Sequence, residues 1–342
     1  MRFKLFIILF CFLSFPSFSQ QQPWYSQYIL NNFIINPGLA GIENYWDART
    51  SYRNQWTGIP GAPITLYASI QGPLRGDLIE DESPVTLHET NNPRGYSYWE
   101  NYTSAPSHTG IGFTVINDRT GPLSNLSALA TMAYHIKLST KSALSLGVSA
   151  GVQEISLNSQ NLYFGTANPT DPSVYTNGDL NKIKPAMNVG LWYYSSQYFL
   201  GLSAQQIIPQ TLSFNGGLIQ SNANSGKLIP NLFFQAGYKI LLSENYSVLP
   251  SCTIRDISTL PLGFDINTKM QFRDIFWIGG TYRYNSGYAL MVGFNTRLNI
   301  NLGYSYDFTL SPLNSVAGGT HEIQIGYLIR NHLHDHCPRN LW

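Results

Sequence analysis

The sequence predicts an all-β chain, about fourteen antiparallel strands closed into a transmembrane β-barrel of the outer-membrane type. Three observations carry this reading. Charged residues are only 11% of the chain, against roughly 25% in soluble domains, while aromatics reach 14% and glycine numbers 29. Beyond residue 19 no run approaches the roughly 18 consecutive apolar residues of a membrane-crossing helix. Segment after segment instead alternates apolar with polar or small residues, the period of a strand with lipid on one side and a wet lumen on the other.

Residues 1–19 open with Arg2 and Lys4, continue through an apolar run from Leu5 to Leu13, and end on small residues at Ser17 and Ser19, the layout of a secretory signal. Cys11 lies inside that run without the small residues that precede a lipidated cysteine. Residues 20–43 show no strand period and are expected to form a periplasmic segment or a plug.

The barrel is expected over residues 44–330. Strand patterns fall near 44–54, 63–72, 110–118, 126–138, 142–155, 185–196, 198–208, 230–241, 245–255, 263–272, 275–283, 287–296, 298–306 and 320–330. The clearest sets Phe264, Ile266, Met270 and Phe272 against Asp265, Asn267, Lys269 and Gln271; another sets Leu146, Val148, Ala150 and Val152 against Ser145, Gly147, Ser149 and Gln153. Tyr304 and Ile323, Ile325 and Tyr327 continue the rule near the end, against Ser305, Glu322, Gln324 and Gly326. An even number of strands is what single-chain bacterial barrels use.

The connections agree. Tight turns follow the even strands, as at Ser139 to Lys141, Ser243 to Glu244 and Arg273 to Asp274, whereas the stretches Ser156 to Lys184, Pro209 to Leu228 and Asp307 to Gly319 follow odd ones. Barrels inserted from the periplasm carry short turns on that side, so both termini are expected there. The insertion 73–109 breaks the pattern: it is long, follows an even strand, and holds Asp77, Glu80, Asp81 and Glu82. Fourteen strands enclose more space than the eight that wall side chains can fill, so either this insertion or the segment from Gln20 to Gly41 is expected to occupy the lumen. Aromatic groups at strand ends, Trp192, Tyr193, Tyr194 and Tyr198, or Phe276, Trp277 and Tyr282, read as interfacial girdles. The loops 166–178 and 213–226 are rich in Asn, Ser and Gly and suit contacts that order on binding.

Little in the chain points to chemistry. Gly147-Val148-Ser149-Ala150-Gly151 matches the G-x-S-x-G pattern of hydrolases, but that pattern needs a strand-to-helix turn, and here it lies within a strand. His332, His334 and His336, followed by Cys337, are candidate zinc or copper ligands, with a solvated tail over 331–342 as the plainer reading. His135 on the polar phase of strand 4 and His321 on the apolar phase of strand 14 are the histidines expected in strands, and no catalytic partner is legible for either. Cys252 and Cys337 could form one disulfide, which spacing alone does not decide; with Cys252 in a strand pattern and Cys337 in the tail, both are expected to be unpaired. The expectation is a non-enzymatic protein without a cofactor, and a net charge of +1 gives no nucleic-acid surface. Arg53 and Trp56, residue types that anchor interfaces, are the partner-binding candidates.

Several motifs carry a resemblance. Trp24-Tyr25-Ser26-Gln27-Tyr28, then Asn36-Pro37-Gly38-Leu39-Ala40-Gly41, resemble the opening of the PorP/SprF family of Bacteroidetes. Tyr52-Arg53-Asn54-Gln55-Trp56-Thr57-Gly58 with Gly61-Ala62-Pro63, and Val115-Ile116-Asn117-Asp118-Arg119-Thr120-Gly121-Pro122, are similar to its next blocks, as are Tyr134-His135-Ile136 and Cys337-Pro338-Arg339. The chain departs from the pattern between Gly72 and Gly110, a place for a branch-specific contact. The resemblance implies an outer-membrane protein of the type IX secretion system, linked in some members to gliding motility. It implies PorK/PorN-like (GldK/GldN-like) periplasmic ring proteins and a PorE-like peptidoglycan-linked adaptor as partners, and a role in exporting or anchoring an adhesin through its C-terminal domain. The alternative from composition alone is an outer-membrane channel or transporter for small solutes.

Overall fold

The computed structural model describes residues 28, 31–74, 102–158, 180–208, 210–212, 226–228, 230–257, 261–273, 275–296, 298–310 and 315–331. Fourteen antiparallel strands form the wall: β1 (Trp46–Asn54), β2 (Ile64–Pro73), β3 (His108–Thr120), β4 (Leu123–Lys137), β5 (Ser142–Leu157), β6 (Leu180–Ser195), β7 (Tyr198–Gln205), β8 (Asn231–Tyr238, continued by Ile240–Ser243), β9 (Tyr246–Ile257), β10 (Gly263–Phe272), β11 (Phe276–Arg283), β12 (Gly287–Asn295), β13 (Ile300–Thr309) and β14 (Thr320–Ile329). Each pairs with its neighbour in sequence, and β1 pairs with β14 from Trp46 opposite Ile329 to Asn54 opposite His321, which closes the ring. No backbone edge is then left to face lipid, the condition for a sheet to exist in a bilayer. β8 is interrupted at Lys239, whose N–H turns to Gln197 O at 2.6 Å. A separate small hairpin, Gln210–Leu212 with Gly226–Leu228, stands in the β7–β8 connection. No helix among the described residues is long and apolar enough to cross a membrane, which says nothing against crossing by strands.

Alternation sorts the side chains as the sequence predicts. On β10, Ile266 and Met270 are exposed on the outer surface, whereas Asp265, Asn267, Lys269 and Gln271 are buried on the inner one. On β14, Ile323, Ile325 and Tyr327 face out, with Glu322 and Gln324 within. An outer surface of exposed Leu, Ile, Tyr and Phe, set against an interior of Asn, Gln, Ser, Arg and carboxylates, inverts the soluble-protein pattern and fits lipid. Cys252 is on the outward phase of β9, opposite Ile266, and its thiol is free; Cys337 lies outside the described residues.

Some expectations need correction. The aromatic groups are not girdles throughout, because alternation splits them. Trp192, Tyr194 and Trp277 point inward and are buried, while Tyr282 is exposed on the outer face and Tyr193, Tyr198 and Phe276 are partly so. β6 begins at Leu180, five residues before the expected start, since Pro185 and two lysines hide its alternation; Pro185 stands opposite Val152 within the ladder. β3 begins at His108, which makes that residue a third strand histidine.

An arginine on the outer face tests the lipid assignment. Leu290, near the middle of β12, is 59% exposed. Leu290→Arg is expected to lower stability by about 2–4 kcal/mol, seen as an earlier urea midpoint for the protein refolded into phospholipid vesicles.

Candidate functional site

The chain segment before β1 crosses the interior of the barrel. Its described part, Tyr28 and residues 31–44, makes two single-turn 3-10 helices, Asn32–Ile34 and Pro37–Leu39, and is buried throughout. Asn36 sets the second turn: its carboxamide oxygen accepts from Gly38 N at 2.9 Å, and Pro37 at the first helical position has no N–H to satisfy.

Seen from the wall, the segment is held by one strand after another. Asn267 donates to the Tyr28 hydroxyl (3.1 Å), which in turn donates to Asp265 (3.4 Å) on β10. Burial, then the neighbouring Asp265 carboxylate, push the Tyr28 phenol above its ordinary range, so it remains a donor. Asn31 donates to Ser69 (2.9 Å) on β2, and Gln235 on β8 donates to Asn32 (2.9 Å). Gln205 on β7 donates to both Ile34 O and Ile35 O at 3.0 Å. Ser145 on β5 donates to Gly38 O at 2.5 Å, and Gly41 N donates to Gln71 of β2 at 2.7 Å. His135 of β4 meets Ala40 O at 2.8 Å and His108 of β3 meets Gly41 O at 2.9 Å.

Asn36 goes further, into the wall itself. Its side-chain nitrogen donates to Leu191 O (3.1 Å) and Leu202 O (3.2 Å), carbonyls of the paired strands β6 and β7. It reaches them because the adjoining wall positions are Gly190 and Gly201: a Cβ on Gly190 would fall on the Asn36 carboxamide. Gly147 and Gly110 act in the same way beneath Pro37 and Ala40, where a Cβ would overlap backbone atoms of the segment. Gly41 takes φ +76, the left-handed region open to glycine, as it passes Gly110.

Under this seat the lumen is filled by apolar side chains. Leu39, Ala40 and Ile42 have no exposed surface, and they join Phe33, Ile35, Trp192, Tyr194, Phe199, Phe233 and Met291 in one cluster, with Trp192 stacked on Phe199 at 4.8 Å. Burying each large apolar side chain stabilises by about 1.5–3 kcal/mol, and each neutral hydrogen bond by about 1 kcal/mol. Several of each hold the segment in place at rest.

On the other side of the crossing segment lies a cavity of about 110 Å³, floored by Phe33, Ile34 and Ile35 and walled by Gln153, Asn188, Gln205, Gln206, Asp118, Arg255 and Asp265. Nearby, within the lumen, a charged cluster joins the first and last strands. Arg53 donates to Glu322 (3.1 Å) and Asp307 (2.9 Å), Arg283 donates to Asp307 (2.9 Å), and Ser51 donates to Glu322 (3.1 Å).

Of the residues singled out in the sequence, Arg53 is therefore turned into the lumen at 3% exposure, and its guanidinium serves the β1–β14 seam. Trp56 stands in the β1–β2 turn, half-buried, with φ +51 and its N–H donated to Thr320 Oγ1 at 3.2 Å. Ser149 is mid-strand and bonded to Thr131 at 2.7 Å, with no turn behind it. His135, for which no catalytic partner was legible, meets Ala40 O, the Tyr194 hydroxyl at 3.0 Å and the stacked ring of His108. His321 faces outward and meets the Tyr304 hydroxyl at 2.8 Å. His332, His334 and His336 lie outside the described residues, as do Asp77, Glu80, Asp81 and Glu82; no group of metal-ligating side chains occurs among the described ones. The described end of the insertion packs on the β4–β5 turn, with Ser104 N donating to Thr140 O at 2.8 Å and Ser104 Oγ to Ser139 O at 2.5 Å.

A closed, outward-apolar barrel with its lumen occupied by its own chain defines an outer-membrane β-barrel protein. The family model described as the type IX secretion system membrane protein PorP/SprF matches residues 17–327, so the chain belongs to that family and resides in the outer membrane. No curated protein matches it. Among solved structures it is similar to the Acinetobacter baumannii outer membrane protein Omp33 (6% identity, TM-score 0.46, 84% of this chain and 100% of that one) and to the Ralstonia pickettii toluene transporter TbuX (12%, 0.47, 87% and 92%). It is also similar to a Pseudomonas aeruginosa FadL homologue (10%, 0.43, 90% and 94%).

Two substitutions test the interior. Arg53→Ala leaves Asp307 and Glu322 buried beside a missing cation and is expected to cost about 3–5 kcal/mol, measured by denaturant unfolding in vesicles. Gly147→Val places a side chain where Pro37 and Gly38 rest; it should raise the conductance of the purified barrel in planar bilayers well above the wild-type level while the strand content in circular dichroism stays unchanged.

Proposed function

We propose that this barrel acts as a non-enzymatic holder within the type IX secretion machinery. Its periplasmic face contacts PorK/PorN-like (GldK/GldN-like) ring proteins and a PorE-like peptidoglycan-linked adaptor, and its outer loops support export or surface anchoring of an adhesin that carries a C-terminal sorting domain. Family membership supports the setting, and the crossing segment supports the role of holder. At that level the lumen is packed with Leu39, Ile42, Trp192 and Phe199, and a wall braced from within presents rigid turns and loops to partners. On this reading the described part of residues 20–43, Tyr28 and 31–43, is a plug, and the outer turn bearing Trp56 offers a better partner anchor than Arg53, whose charge is spent inside.

The rival reading is a channel or transporter of small solutes, for which the cavity beside the plug, lined by both apolar and polar side chains, is a favourable feature. The two differ in what deletion does. Loss of a holder leaves the adhesin inside the cell or sheds it to the medium and leaves nutrient uptake unchanged; loss of uptake with normal adhesin display would favour the channel. Affinity purification from detergent-solubilised outer membranes should bring down ring components and an adhesin fragment, and recovery of the barrel alone under conditions that preserve the ring would count against the proposed contacts.

A further inference from the structure

His108 and His135 stand directly opposite each other on β3 and β4, at the end of the barrel where the crossing segment enters β1. Their rings are parallel within 1° and 4.5 Å apart between centroids. The four ring nitrogens meet different chemistry. His135 places Nε2 on Ala40 O (2.8 Å) and Nδ1 on the Tyr194 hydroxyl (3.0 Å). A neutral imidazole satisfies both, donating to the carbonyl and accepting from the phenol. His108 has no neutral solution. Its Nε2 faces Gly41 O at 2.9 Å and its Nδ1 faces Pro106 O at 2.8 Å, and carbonyl oxygens only accept. Both bonds form only when both nitrogens carry a proton.

We propose that His108 is a proton-operated latch on the plug. As an imidazolium it bridges two otherwise separate pieces of chain, the crossing segment at Gly41 and the end of the long β2–β3 connection at Pro106. As a neutral ring it holds one of them and sets a lone pair against the other. The titratable side chains that the adjoining pieces carry at this end are His135 and Lys137 on β4, Tyr194 on β6, Glu43 and Tyr45 on the crossing segment and Tyr102 on the connection, and all but Lys137 are buried. Gly41 is the point where the segment passes Gly110 with backbone against backbone, so a loosened Gly41 carbonyl unseats the stretch Pro37 to Gly41 from its glycine cradle. The latch is closed while both ring nitrogens carry a proton, the form that acid favours, and loosens when one proton is lost.

The inference rests on the plug reading, and one set of bilayer recordings separates the two. For the purified full-length barrel, openings at pH 8.5 are expected to be about tenfold more frequent than at pH 5.5, the weight of one charge-assisted hydrogen bond. His108→Gln, which does not titrate, should open at the same frequency at both, and His135→Gln should keep the pH response. Equal wild-type frequencies at the two pH values, or an unchanged pH response in His108→Gln, overturn the latch. Should His108→Gln fail to fold, judged by heat-modifiable gel migration, the wild-type comparison alone still decides. If Gly147→Val conducts while pH has no effect, only the latch falls; if Gly147→Val is as silent as the wild type, the plug reading falls with it.

Discussion

In a hydrocarbon layer a backbone amide has no water to turn to, so a sheet must close or not insert. Everything else here follows from the pairing of β1 with β14. That seam is made by residues more than two hundred positions apart in the chain, and it is reinforced from inside, where Arg53 stands across from Glu322 in the ladder and also reaches Asp307. Buried charges are costly unless they are paired, and two arginines pair with two carboxylates at the point where the ring is completed.

Closure creates a second requirement. A ring of fourteen strands is too wide for wall side chains to fill and would hold water. This chain meets it with its own leading segment, and the fit is made by subtraction: Gly110, Gly147, Gly190 and Gly201 remove side chains from the inner wall along one track, and Asn36 to Gly41 lie in that track. The interior is consequently a packed core on one level and a cavity of mixed lining on the next. A barrel so braced is suited to holding partners at its rims, and a segment seated mainly by backbone contacts is suited to being unseated.

The wall was legible because membrane strands obey a period of two with opposite requirements on each face. All fourteen strands were visible, and the largest boundary error fell where the pattern was masked, at Pro185 and the lysines before it; other termini, His108 among them, differ by up to three residues. The interior was less legible. Inward and outward aromatics look alike in sequence, so Trp192 and Trp277 read as girdle residues when they belong to the core beneath the plug. The Asn-Pro-Gly-Leu-Ala-Gly run was visible as a motif, but its seat is spread over β3, β5, β6 and β7, and no local spacing links a glycine on one strand to a carboxamide some 150 residues away. The clue available was the excess of glycine on inward phases, Gly110, Gly147 and Gly190 above all. Pairing of His108 with His135 depends on register, which a strand boundary two residues off conceals.

The most direct test of the account is a covalent one. A Cβ placed on Gly38 would lie 3.3 Å from that of Trp192, near the 3.5–4.5 Å span of a disulfide. In a chain with Cys252 and Cys337 replaced by serine, Gly38→Cys and Trp192→Cys together should cross-link almost completely on mild oxidation of intact outer membranes, while each alone should not. If the double variant folds into the membrane and both thiols stay free and open to maleimide, the segment does not occupy the lumen and the account is wrong.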